Sequence, residues 1–296
     1  MKKTGIMNII NAVVLTGFTA YVLLDAFVIP RSYEKVDKSE YAIEAEETLD
    51  ESTAEYTEEG YTDSTTSIEF TTYRENDTTI YVADVRLSKV DSIKTAFAND
   101  TYGKNITAKT SVTAANNNAL LAINGDYYSA RNGYVIRNGV LYRSKSAGDE
   151  QEDLVIYLDG SCEIIKEGDI TAEELIEKGA LHVFCFGPGL VSNGEVTVDG
   201  NDEVGRAMAS NPRTAIGWID DLHYVLVVSD GRTGESEGLS LEELAKFMKG
   251  LGCTVAYNLD GGGSSTMYYN GEVINNPTTN GRKISERSVS DIVYIG

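Results

Sequence analysis

Four dipeptides constrain this chain most: Asn138-Gly139, Asp159-Gly160, Asn193-Gly194 and Asn270-Gly271. Each pairs a residue that tolerates positive φ with a glycine, the chemistry that closes a tight β-hairpin. Strand-forming residues flank each pair. Further strand-like runs occur at 79–85, 119–123, 223–228 and 254–257. Together they predict a domain built largely from hairpins.

Helical signals are fewer. Thr171-Ala172-Glu173-Glu174 and Ser240-Leu241-Glu242-Glu243 both fit a capping box. After the second, Leu241, Leu244, Ala245, Phe247, Met248 and Leu251 make an apolar stripe at helical spacing, closed by Gly250 and Gly252. A further helix is predicted within 106–117. The expected fold class is therefore α+β: a mixed, hairpin-rich β-sheet domain with a few helices. Around the second capping box the order reads strand, helix, strand. If those strands are parallel neighbours, Asp230 and Asp260 lie at one edge of the sheet.

Asp260 ends the strand-like run and is followed by Gly261-Gly262-Gly263-Ser264-Ser265-Thr266. Three glycines allow unusual backbone conformations and close approach to a ligand. Their N–H groups can form an anion cradle beside the carboxylate. The stretch is not a P-loop, because Ser264 stands where the lysine is required. Nor is it a nucleophile elbow, because position 266 is threonine.

The N-terminal 66 residues are compositionally different from the rest. Lys2 and Lys3 precede an apolar segment at 6–29, whose 24 positions suffice to span a bilayer. We read 1–30 as an uncleaved transmembrane anchor, with a cleaved signal sequence as the alternative. The flanking lysines direct the rest of the chain outward. Residues 31–66 carry twelve acidic and three basic side chains. That composition predicts a disordered linker that extends by self-repulsion and holds the domain away from the membrane. The folded domain is then 67–296.

The net charge of −21 argues against nucleic acid as a partner. His182 and His223 both sit in apolar runs, and no HExxH or Cys/His zinc pattern is present. Three cysteines, Cys162, Cys185 and Cys253, are too few for a disulfide framework in a chain this long.

Ile123-Asn124-Gly125, Arg213-Thr214-Ala215-Ile216-Gly217, Asp230-Gly231 and Asn258-Leu259-Asp260-Gly261-Gly262-Gly263-Ser264 follow one another in that order. As a set they resemble the phosphodiester glycosidase domain family over roughly 75–296. Arg287 and Val289 match a shorter pattern near the end of that domain. Asp126 stands where the eukaryotic enzyme of the family has a second glycine. The resemblance implies a reaction class, hydrolysis of a sugar joined through its anomeric oxygen to a phosphodiester. It does not carry over the eukaryotic target.

Phosphate is already a good leaving group, so strong acid assistance is less necessary here than for an ordinary glycoside. The requirements are a carboxylate near the anomeric carbon, cations for phosphate, and a shaped pocket. Asp260 is the first candidate for nucleophile or base, and Asp230 is the second carboxylate. A separation near 5 Å would favour retention, and one beyond about 6.5 Å inversion. Arg213 and Arg287 can grip phosphate in a two-point fork. The backbone of Gly261, Gly262 and Gly263, with Ser264, is expected to meet the substrate, and Asn124 to bond a sugar hydroxyl.

Asp126, Asp230 and Asp260 offer oxygen ligands to a divalent cation, but no EF-hand spacing accompanies them. No cofactor or metal is expected. The expected partners are a phosphate-containing glycan and, through the N-terminal helix, a membrane. A non-catalytic module that holds a wall polymer or polysaccharide is the alternative function.

Overall fold

The computed structural model describes residues 2–35, 53–57, 59–199 and 210–296. It is an α+β fold in which every strand pair among the described residues is antiparallel. The hairpin chemistry explains much of this. Asn138, Asn193 and Asn270 all have positive φ, as do Gly139, Gly194 and Gly271 after them. Asn138-Gly139 joins Val135–Arg137 to Val140–Arg143, and Asn270-Gly271 joins Met267–Tyr269 to Glu272–Val273.

The largest sheet has nine strands among the described residues. Its centre is the hairpin Arg213–Asp220 and His223–Ser229. Val255–Asn258 pairs outside the first of these strands and Thr78–Leu87 outside the second. In His223–Ser229, Tyr224, Leu226 and Val228 point into one buried cluster while Val225 and Val227 point into another. A strand's two-residue period does this, so the whole run is buried. A five-stranded sheet containing Leu121–Asn124 and Asp291–Ile295 packs against the first face. The helix Leu241–Gly250 covers the second with Leu244, Phe247 and Met248. Its capping box forms as its sequence requires, with Ser240 and Glu243 each accepting the other's backbone N–H.

Two sequence expectations need correction. The strands before Asp230 and Asp260 are not neighbours, because Arg213–Asp220 lies between them. It runs antiparallel to both, so the outer two still run the same way and end at the same edge.

The other correction concerns the folded unit, which does not begin at Ser67. Glu55–Thr57 and Gly60–Thr62 extend the nine-stranded sheet through Thr66–Glu75. Tyr61 is buried in the main core, which rewards pairing of this acidic stretch. Arg31–Lys35 is also a strand, paired with Thr101–Lys104. Residues 36–52 of the expected linker lie outside the described residues. Ahead of the ribbon, the helix Lys2–Phe27 includes a 21-residue stretch, Met7–Phe27, long and apolar enough to cross a membrane.

Candidate active site

The shared edge of the nine-stranded sheet opens into a cleft of about 390 Å³. Asp260 reaches it two residues beyond the Val255–Asn258 strand, after Leu259 has bonded back to the Thr214 carbonyl. The chain then turns through the 3-10 segment Gly262–Ser264. Gly262 sits at φ +63°, and a Cβ there would come within 2.9 Å of Arg232 Nη2. Glycine is therefore needed both for the turn and for the neighbouring guanidinium.

Asp260 is held from three directions. Arg287 Nη2 donates to its Oδ1 at 3.1 Å and its Oδ2 at 2.8 Å. Ser264 Oγ donates to Oδ2 at 2.6 Å, and Arg287 Nε donates to that same Oγ at 2.8 Å. Asn124 Nδ2 donates to the Asp260 carbonyl at 2.6 Å. The carboxylate is thereby fixed in place rather than left to sample rotamers, as charge-assisted bonds do.

Four arginines line the cleft against this one carboxylate: Arg131, Arg213, Arg232 and Arg287. Protein oxygens hold each guanidinium. Arg131 donates to the Phe186 carbonyl and lies over the Phe186 ring, 4.0 Å from its centroid. Arg213 Nε donates to the Leu239 carbonyl, and Arg232 donates to Asn211 Oδ1 and the Thr279 carbonyl. On a chain of net charge −21, this is a local inversion of sign. Preorganised guanidiniums suit a phosphate group.

The other expected site residues are placed differently. Asn124 is fully buried. Its Nδ2 bonds the Asp260 and Gly125 carbonyls, and its Oδ1 accepts from Thr214 Oγ1 and the Thr266 N–H. Those bonds join the Asp260 turn to the central strand and occupy both ends of the amide. Asp230 does not line the cleft. Its oxygens accept from Asn275 Nδ2, from the Asn276 N–H and side chain, and from Tyr81. Burial, reinforced by the Asp230 charge, pushes the Tyr81 phenol up to about 12, so it stays a donor.

Gly261 and Gly262 face the cleft, but the Gly262 N–H is spent on the Pro212 carbonyl. Gly263 instead accepts the Arg287 N–H, and a Cβ there would strike Thr279. The glycines thus pack the turn closely. Arg287 is the partner of Asp260 as well as a cleft residue, which spacing alone did not disclose. Arg232 belongs to the Ser229-Asp230-Gly231-Arg232 cluster, and its φ of +63° aims it from a turn. Arg131 carries no signal in the sequence.

Asp126 points away into a buried network. Arg137 Nη2 donates to Asp291 Oδ2 at 2.9 Å and forms an ion pair with Asp126 Oδ1 at 3.0 Å, with all three side chains essentially inaccessible. Burial raises the Asp291 carboxyl well above the usual range. Gly125 makes room for it, since a Cβ would come within 2.6 Å of Asp291 Oδ1. Asp126, Asp230 and Asp260 therefore do not converge. Among the described residues, no three His, Cys, Asp or Glu side chains are grouped to hold a metal ion.

An antiparallel scaffold thus presents one restrained carboxylate among four guanidiniums. The chain belongs to the phosphodiester glycosidase family, whose model matches residues 117–296. It is 32% identical over 165 residues to the uncharacterized prophage-derived protein YomE of Bacillus subtilis, covering 55% of this chain and 25% of that one. It is 28% identical over 176 residues to N-acetylglucosamine-1-phosphodiester alpha-N-acetylglucosaminidase of Mus musculus, covering 53% and 33%. The chain thus spans a third or less of the length of these relatives. The zebrafish enzyme's catalytic domain, solved in a form auto-inhibited by its pro-peptide, has the same fold. It superposes with a TM-score of 0.62 at 20% identity, covering 90% of this chain and 87% of that one.

Proposed function

We propose that this chain is a membrane-anchored hydrolase that releases a sugar from a sugar-1-phosphodiester in a cell-surface glycan, with its domain outside the membrane. The supporting observation is the pairing of Asp260 with a cleft lined by four guanidiniums. In this reading the arginines take the phosphodiester and stabilise the charge that develops as the anomeric C–O bond breaks. The electron pair leaves with phosphate, which departs as a phosphomonoester. Asp260 attacks the anomeric carbon or takes a proton from the attacking water. Asp230 and Tyr81 steady the Asn275-Asn276 loop nearby. One carboxylate at the cleft is chemically sufficient, because phosphate leaves without a strong general acid.

The test is incubation of the purified chain with a panel of sugar-1-phosphodiesters and analysis of the products. Free reducing sugar plus a phosphomonoester is the expected result. A sugar phosphate would mean cleavage at another bond, and binding without product would make the domain a glycan-holding module.

A further inference from the structure

The apolar helix is not attached to the domain by a long tether. Only 28–30 separate Phe27, its last residue, from the Arg31–Lys35 strand. Three extended residues reach about 11 Å at most. The headgroup layer on one side of a bilayer is roughly 5–8 Å deep. The strand is paired at once with Thr101–Lys104, in the register Arg31 to Lys104 and Lys35 to Thr101. Asn105 Nδ2 closes the junction by donating to the carbonyls of Ala26 and Ile29. Arg31 also bonds Asp25, inside the last turns of the helix.

This ribbon leads directly to the cleft. Tyr33, 61% exposed, packs on Tyr102 with ring centroids 5.8 Å apart. Tyr102 stacks on Tyr128 at 5.2 Å. Tyr128 opens the short turn Tyr128–Ala130, and the next residue is Arg131 of the cleft. Tyrosine is favoured at the bilayer interface. With Arg31 paired to Asp25, Lys35 and Lys104 set the ribbon's charge against Glu34. A chain of net charge −21 would otherwise be pushed off an anionic surface.

We propose that the Arg31–Lys35 and Thr101–Lys104 ribbon clamps the domain onto the bilayer, so that the cleft acts on sugar phosphodiesters displayed at the lipid surface. The inference rests on the anchored hydrolase reading above and narrows its substrate to the membrane-proximal class. It replaces the spacer role expected for 31–66.

The full chain is reconstituted in vesicles and given one sugar-1-phosphodiester in two forms, a lipid-linked diester in the same vesicles and a soluble methyl diester. Two variants release the clamp. In Gly103→Val the new side chain strikes the Arg31 carbonyl and opens the ribbon. The other variant carries about 20 Gly/Ser residues after Pro30, with a root-mean-square reach of roughly 25 Å. A fluorophore on Lys35→Cys reports proximity to headgroup-nitroxide lipids, the three native thiols being buried.

We expect a quenched label in the otherwise unaltered chain, lost in the insertion background. Both release variants should lose roughly tenfold or more on the lipid-linked diester and keep the soluble rate. An unquenched label, or an unchanged ratio of lipid-linked to soluble turnover in the insertion variant, overturns the proposal even if Gly103→Val fails to fold. No hydrolysis of either diester by the unaltered chain overturns the hydrolase reading and, with it, the substrate assignment, while the label still decides the docking. A chain that does not partition into vesicles overturns both anchor and clamp.

Discussion

Arg287 grips Asp260 through both carboxylate oxygens, at 3.1 and 2.8 Å, while its Nε holds the Ser264 hydroxyl that bonds the same carboxylate. The guanidinium therefore positions the Asp260 carboxylate and also faces the cleft. Asp260→Asn keeps the shape and removes the charge. We expect it to abolish nearly all turnover while moving the thermal midpoint only a few degrees. Arg287→Lys keeps a cation but loses the fork, and we expect kcat to fall by roughly ten- to a hundredfold, about 1.4–2.7 kcal/mol. Full specific activity in folded Asp260→Asn would refute the assignment.

Asp230 is expected to behave differently from Asp260, because its oxygens are engaged with Asn275, Asn276 and Tyr81. Asp230→Asn turns one of the two accepting oxygens into an NH2 group that faces donors. The expected cost is about 1–3 kcal/mol of stability, with a smaller loss of kcat than in Asp260→Asn. Urea unfolding and steady-state kinetics on the same preparation separate the two effects. Loss of kcat equal to that of Asp260→Asn, at unchanged stability, would return Asp230 to a direct chemical role.

Much of the fold was legible because the relevant chemistry is local. Asn138-Gly139 and Asn270-Gly271 specify their own turns, and Ser240 with Glu243 specifies its own helix start. The turn at Asp260 was legible for the same reason. Strand order is a different kind of information. That Arg213–Asp220 sits between the strands leading to Asp230 and Asp260 depends on pairing across the whole sheet. The same limit explains Asn124, whose four partners come from Gly125, Thr214, Asp260 and Thr266. Tyr61 shows how a buried ring can hold an acidic stretch in a sheet despite its composition.

The Arg137 network lies behind the site rather than in it. Arg137→Met fits a similar volume but leaves Asp126 and Asp291 buried without their cation. Removing one partner of a buried charge network costs about 3–5 kcal/mol. Replacing all three groups together, Arg137→Met with Asp126→Asn and Asp291→Asn, should recover part of that loss. Chemical denaturation of the single and triple variants measures both. A single variant as stable as the parent would show that the network contributes nothing to the fold.

His182 makes a prediction about acid stability. Its ring is fully buried, with Nδ1 accepting the Asn138 N–H at 3.2 Å and Nε2 donating to the Ile93 carbonyl at 3.0 Å. That arrangement requires the neutral Nε2–H tautomer, since a second ring proton would face the Asn138 N–H. Burial pushes the imidazolium down to about 3 from an ordinary 6.5. Between those values the unfolded chain binds a proton that the folded chain refuses, so stability rises with pH across that window. The contribution is intact above about 6.5 and is lost as pH falls toward 3, at up to about 1.4 kcal/mol per pH unit. His182→Gln cannot titrate. It should lower stability at pH 7, where the ring's two hydrogen bonds are imperfectly replaced, and should flatten the decline between pH 6.5 and 4. Denaturation midpoints of both proteins across that range test this, and parallel curves would remove His182 as a source of the acid sensitivity.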